Sequence, residues 1–445
     1  MGKGDVSSMT NAKLSPGKML LLGFQHVFAM FGATVLVPTL TGLSVSATLL
    51  FAGLGTLFFH FLTNGKVPAF LGSSFAYLAG YAAIAPNGET ALLPYACVGV
   101  AASGLLYLIL AALVRGFGAN RVMRFFPPVV TGPIIICIGM TLANSAINNC
   151  TGSWDIALVA IITVVVFNIW GKGMLRIIPI LLGVLVSYVY AAITGRVDFS
   201  GVASAAWIGL PVKMENTVFS LIGNCDMNLL VTAVIAIMPI AFATMIEHIG
   251  DICAISSTVG ENFIADPGLH RTLLGDGLAT TIASLFGAPA NTTYGENTGV
   301  LALTRVYDPL VIRLAAVYAI IASFCPKFAA LVSAMPTGTI GGVSLILYGM
   351  ISAIGVRNLV ENQVDLSKSR NVIVVSLIIS LALGITFSAA SAITFHVGEF
   401  TLNFSGLAVA AIVGIVVNAI LPGKDYDFQN NYEYGKTTED HGQML

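Results

Sequence analysis

Charge is what this chain has least of. Of its 445 residues only 9% are charged and 56% are hydrophobic, and the mean hydropathy is +0.89. A water-soluble domain carries roughly 25% charged residues because its surface faces water, so a soluble fold is excluded. Lysine and arginine number 20 against 21 aspartates and glutamates, leaving no basic excess with which to hold nucleic acid. The six cysteines and six histidines show no CxxC or Cys/His ligand spacing, so neither a metal nor a cofactor is expected. Cys97, Cys137 and Cys253 lie inside apolar runs as small fillers. Cys150 and Cys225 share the expected outer face, where a disulfide is open to them. Ser73 and Ser74 have no evident histidine or aspartate partner, which argues against a hydrolase.

Long apolar runs are what the chain has in place of charge. They include "MLLLGFQHVFAMFGATVLVPTL" (19–40), "ACVGVAASGLLYLILAALV" (96–114), "NVIVVSLIISLALGITF" (371–387) and "LAVAAIVGIVVNAIL" (407–421). Crossing the hydrocarbon takes about 20 apolar residues, and counting short and interrupted runs as well gives about fourteen crossings. With the N-terminus inside, that count puts every lysine and arginine except Arg196, Lys213 and Lys327 on the cytoplasmic side. This is the asymmetry of the positive-inside rule. The polar start shows no cleavable signal pattern. Both tails, 1–16 and 423–445, are expected in the cytoplasm, the second disordered.

The two halves echo each other. Ser73-Ser74-Phe75-Ala76 matches Thr292-Thr293-Tyr294-Gly295, and "FPPVVTGPIIICIGM" (126–140) matches "MPTGTIGGVSLILYGM" (335–350). An odd number of crossings per half inverts the second half, an arrangement common in transporters with the site at the repeat interface. The first echoing stretch of each half is a poor membrane helix, and reads as an extended strand followed by a half-length helix. Irregular backbone at membrane depth is tolerated only inside protein or beside a cavity. The expected fold is therefore an all-α polytopic membrane protein with two short broken segments facing one site. Free N–H groups of the unwound backbone can hold carbonyl oxygens there, and Glu296 can accept N–H bonds.

Nearly all carboxylates can be placed in loops, tails or helix ends. The exceptions are Glu247 and Asp251, at i and i+4 on one helix face, and Glu296. Acids at depth mark a substrate path or proton relay. His248 points about 100° away from Glu247 around the same helix. His26, beside Gln25 in the first crossing, reads equally as hydrogen-bonded packing or as part of a relay. Phe75 and Tyr294, in the broken segments, are candidates to stack on a planar ligand.

At these residues the chain resembles the nucleobase–ascorbate transporters, and within them the uracil-carrying bacterial branch. "LGSSFAY", "EHIGD", "DPGLHR" and "NTTYGENTGVLALTR" carry the resemblance, including the signature Glu296-Asn297-Thr298-Gly299 through Thr304-Arg305. It implies inverted repeats divided into a core and a gate domain, with dimerisation through the gate. The core would take 17–145, running into the first gate crossing, and 228–333; the gate would take 146–227 and 334–422. Glu247 and Glu296 would bind the base, the backbone amides of Phe75 and Gly295 would meet its carbonyls, and Tyr294 would lie beside it. Some uracil carriers have histidine where this chain has Asp251, which looks more like the purine-carrying branch, whereas Glu296 within "TTYGEN" favours uracil over xanthine or urate. The implied activity is uracil import across the plasma membrane by proton symport, with Glu247, Asp251, Glu296 and His26 as coupling groups. A purine symporter of the same family, or an anion exchanger of the same architecture, is the alternative.

Overall fold

Helices in this chain begin and end at residues unsuited to continue them. The computed structural model describes residues 15–397 and 400–423, and the expected tails, 1–16 and 423–445, lie almost wholly outside the described residues. α1 (Pro16–Thr41) opens on proline and ends at Gly42, whose φ of 80° suits glycine. α2 (Val45–Leu62) is capped by Ser44, whose hydroxyl accepts from the Ala47 amide at 3.2 Å. β1 (Leu71–Ser73), a 3-10 turn at Phe75–Tyr77 and the short α3 (Leu78–Ile84) follow. α4 (Leu93–Phe117), α5 (Pro128–Cys150), α6 (Trp154–Trp170) and α7 (Pro179–Ile193) complete the first half.

The second half begins with α8 (Met227–Val259), which is capped by Asp226 and tightened into a 3-10 turn around Pro239. α9 (Leu269–Leu285), β2 (Asn291–Thr293) and α10 (Gly295–Thr304) come next. α11 (Pro309–Ser323) turns by 87° into Pro326–Ser333. α12 (Thr337–Glu361) and α13 (Ser369–Thr386) lead to β3 (Ala392–Val397), β4 (Phe400–Ser405) and α14 (Gly406–Ile420).

Among the described residues, seven helices are long and apolar enough to cross a membrane, or eight if the bent pair counts as one span. Four further apolar helices are shorter. Large apolar side chains point outward, among them Ile162 (58% exposed), Ile169 (63%) and Val189 (56%). A surface of that kind is stable against lipid and not against water.

Packing sorts the helices into two groups. α1 to α4 pack with α8 to α11, whereas α5, α6 and α7 pack with α12, α13 and α14. The pairings are matched. α2 on α11 has its counterpart in α9 on α4, α1 on α11 in α8 on α4, and α6 on α7 in α13 on α14. The α4–α9 crossing is so close that a Cβ on Gly104 would lie 2.5 Å from the Gly277 carbonyl oxygen. Small residues bring helices together in lipid through backbone contact, where the hydrophobic drive between helices is missing.

Two pairs of strands stand among the helices, the first at the extended starts expected of the broken segments and the second a departure from the all-α expectation. β1 and β2 pair directly, antiparallel, with Leu71 opposite Thr293, Gly72 opposite Thr292 and Ser73 opposite Asn291. β3 and β4 form a second antiparallel hairpin between α13 and α14, where the sequence reading had only a link. Its strands, "AITFHV" and "FTLNFS", alternate apolar and polar residues with the period of two that a ribbon favours. Cys150 and Cys225 are both free thiols, so the disulfide open to them is not formed. Cys150 is buried against α12, where a Cβ on Gly341 would lie 2.7 Å from its sulfur.

Candidate functional site

The two broken segments meet in a single ladder. Beyond the three paired residues, the Ser74 amide donates to Ala290 O at 2.9 Å and the Tyr294 amide to Phe70 O at 3.0 Å. These end bonds match, so Ser74 corresponds to Tyr294 and Phe75 to Gly295. The echo read from sequence, Ser73-Ser74 with Thr292-Thr293, is thus displaced by one residue. Each strand is also held from outside by a threonine of its own half. The Thr56 hydroxyl donates to Leu71 O at 3.1 Å, and the Thr280 hydroxyl to Asn291 O at 2.8 Å. Backbone groups that lipid cannot satisfy are thereby paired within the protein.

The first amides past the ladder belong to Phe75 and Gly295. Each opens a helical turn, where leading N–H groups have no partner within the helix and carry partial positive charge. Gly295 is exposed, and without a Cβ it leaves the approach to its amide open.

Three acids gather beside this ladder. α8 packs on β2 and α10, and Glu247, Asp251 and Glu296 are all partly buried. Asp251 accepts a hydrogen bond from the Thr293 hydroxyl at 2.8 Å and faces Gly295, where a Cβ would lie 3.9 Å from its Oδ1. Glu247 lies within electrostatic reach of Glu296, and among the described residues its buried Oε2 has no hydrogen-bond partner. Among the described residues, none of the three acids forms an ion pair with lysine or arginine. Among the described residues, other buried polar atoms of the ladder and the segments that follow it also lack partners, including Ser74 Oγ, Thr292 Oγ1 and Asn297 Oδ1. Buried polar groups are ordinarily paired, so this gathering is unusual and suits a polar ligand.

The aromatic candidates divide. Phe75 is 8% exposed and stands edge-on to Tyr348 of α12, with ring centroids 5.6 Å apart. It therefore sits where the two helix groups meet. Tyr294 is buried instead against β1. Its hydroxyl donates to Ser73 O at 2.9 Å and accepts from Thr34 of α1 at 3.2 Å, and its ring fills the space where Gly72 has no side chain. His26 is buried and works as an anchor, since the Asn297 amide nitrogen contacts its Nδ1 at 3.1 Å and its carbonyl oxygen at 3.2 Å. A small cavity lined by Ala76, Ala79, Ile138, Thr141, Ile240 and Leu407 lies between the helix groups, and none of the acids lines it.

Sequence reasoning missed two residues, one at the site and one behind it. Tyr348 meets Phe75 from α12, in the other helix group, and nothing marked it in the apolar run of that helix. Asp276 falls among the carboxylates assigned to loops, tails or helix ends. In fact α9 begins at Leu269, which places Asp276 two turns inside it and fully buried. Its partner is His248, the residue that points away from Glu247, with Nδ1 3.1 Å from Asp276 Oδ2.

Comparison with known proteins places the chain in a family. Residues 17–391 match the model of the Permease family (Xan_ur_permease). The uracil permease of Bacillus caldolyticus is 42% identical over 428 residues, 94% of this chain and 95% of that protein. The uracil permease of Escherichia coli (strain K12) is 37% identical over 410 residues, 90% of each. Among solved structures, the transmembrane domain of the cyanobacterium bicarbonate transporter BicA matches with a TM-score of 0.63 at 14% identity, covering 90% of this chain and 96% of that one. SLC26A9 matches with a TM-score of 0.66 at 11% identity, covering 90% of this chain and 64% of that one. At such identities these structures share the fold and carry no information on substrate.

Proposed function

Because the chain belongs to this Permease family of multi-pass membrane transport proteins, we propose that it carries uracil across the plasma membrane by proton symport. The observation that carries the reading is the gathering of Glu247 and Glu296 beside a ladder that ends at the amides of Phe75 and Gly295. Uracil is flat and neutral, with carbonyl and N–H groups alternating around its ring. Carboxylates accept from its N–H groups and backbone amides donate to its carbonyls. An unpaired partner in such a site costs about 1–3 kcal/mol, enough to discriminate between bases.

We read the architecture as about fourteen crossings in two inverted repeats, with both termini cytoplasmic. The matched helix pairings and the symmetric ladder support the repeat, and the distribution of lysine and arginine supports the orientation. α1 to α4 with α8 to α11 form the core, and the remaining six helices form the gate against which it moves. Acids sharing one site titrate as a coupled set, so a proton can enter with the base. An anion exchanger is disfavoured, because acids without basic partners repel its cargo.

Uptake of radiolabelled uracil into liposomes holding the purified chain tests the reading. Accumulation under an inward proton gradient is expected, with collapse on adding a protonophore and competition by uracil analogues. Accumulation indifferent to the protonophore would remove the symport. Competition by xanthine in place of the analogues would shift the substrate to purines, as Asp251 at its position would allow.

A further inference from the structure

Behind the acids of the site, α8 carries a second polar row on its neighbouring face. Thr244 and His248, at i and i+4, turn into the core group, where the Thr244 hydroxyl lies 3.2 Å from the Tyr77 hydroxyl. His248 meets Asp276 of α9 at 3.1 Å, and both side chains are 0% exposed. The rings of Phe59 (α2) and Tyr107 (α4) stand edge-on to the imidazole at centroid distances of 6.3 and 6.4 Å. The Nδ1–Oδ2 contact is close but not aligned as a hydrogen bond, and among the described residues both imidazole nitrogens and both Asp276 oxygens lack any other partner.

Four polar atoms are therefore buried in the core group with no hydrogen-bond partner among the described residues. A lone buried ion is very costly, and an ion with a neutral histidine beside it is little better. The pair reaches net neutrality with one added proton, as imidazolium–carboxylate or as imidazole–carboxylic acid. The groups facing it are Tyr77 from the turn before α3, Tyr107 from α4, and Glu247 and Asp251 from α8, with Glu296 of α10 beyond them. Among the described residues, no lysine or arginine forms an ion pair with Asp276. Asp276 acts electrostatically on both Glu247 and Asp251.

We propose that His248 and Asp276 hold the coupling proton, and that holding it there keeps Glu247 ionised to receive the base. The inference rests on the symport reading. With the proton on the pair, Glu247 is a carboxylate and accepts an N–H bond from the base. When the proton moves from the pair to Glu247, an O–H bond forms at Glu247 and Asp276 is left as the anion. The carboxylic acid then offers a donor where the base needs an acceptor, so the base leaves, and the proton follows it to the inner side. One proton accompanies each base. His248 and Asp276 touch no part of the base and act through the charge of Glu247.

Two readouts in liposomes separate this from a structural role, namely proton-driven accumulation of uracil and gradient-free exchange of labelled for unlabelled uracil. Asp276→Asn removes the acid while keeping its size. It should retain exchange within about threefold of the parent and lose accumulation. Uracil affinity of the parent should fall about tenfold per pH unit once the pair deprotonates, as one linked proton requires, and that slope should vanish in Asp276→Asn. His248→Gln, whose side chain cannot hold the added proton, should behave alike and decides the matter if Asp276→Asn does not fold. Either variant accumulating uracil with the parental pH slope overturns the proposal. Folded variants that lose exchange together with accumulation overturn it in favour of a structural role. A parent whose accumulation ignores a protonophore refutes the symport reading itself, an outcome visible before any variant is made.

Discussion

The strand–helix segment of the first half and that of the second share one backbone design and differ in nearly every side chain that follows the ladder. In the ladder's own register Ser74 corresponds to Tyr294, Phe75 to Gly295, Ala76 to Glu296 and Tyr77 to Asn297. Where one half carries a phenylalanine the other has glycine, and where one has alanine the other has a carboxylate. The final position also differs in chemistry while matching in use. The Tyr77 hydroxyl bonds Thr244 of α8, and Asn297 bonds His26 of α1. A twofold scaffold can therefore hold a ligand with no twofold symmetry. The frame supplies an amide from each side, one side adds an aromatic ring, and the other adds an acid.

The comparison breaks most sharply at Glu296. Glu296→Gln keeps the shape but replaces a pure acceptor by a group that also donates. Uracil binding should weaken by about 2–3 kcal/mol, roughly 30- to 150-fold, measured by titration calorimetry. An unchanged Kd would show that the acid is not what distinguishes the second half.

Gly72 and Thr292 face each other at the centre of the ladder, and the glycine side is crowded by the Tyr294 ring. Gly72→Ala places a Cβ 2.4 Å from the Tyr294 ring, so a loss of about 1–3 kcal/mol in stability is expected. A thermal-shift assay should show it, while Thr292→Ala, whose hydroxyl has no partner among the described residues, should shift the midpoint far less. Equal shifts would mean that the crowding is not felt.

The anchors give the smaller effects. Asn297→Ala removes both contacts to His26 and should cost about 1–2 kcal/mol, seen as faster amide exchange in α10. Tyr77→Phe removes one bond to Thr244 and should cost about 0.5–1.5 kcal/mol. Reversal of that order would mean that α3 is held more firmly than α10.

Much of this was legible in the sequence because lipid is a strict solvent. Scarce charge and long apolar runs gave the class, and Pro68 and Pro289 introduced the two stretches too polar for helices. Glu247, Asp251 and Glu296 stood out as acids without a loop to sit in. Less legible was whatever depends on exact depth. Asp276 fell among the acids assigned to loops, tails or helix ends, whereas α9 starts at Leu269 and takes it inside. The echo between halves was read one residue out of step, since hydroxyl residues fill both strands and only backbone pairing fixes the register. The Tyr294 ring could not be told from a stacking group until its hydroxyl was seen bonded to Ser73 and Thr34. The β3–β4 hairpin was missed because a short alternating stretch between two apolar runs reads as a connection.

The bonds between β1 and β2 also constrain how cargo can move. Two half-helices stitched through their backbones are held together as a single platform. In the proposed movement of one helix group against the other, that platform would be the cradle at both ends of the pathway, with Phe75 against Tyr348 as one point of friction.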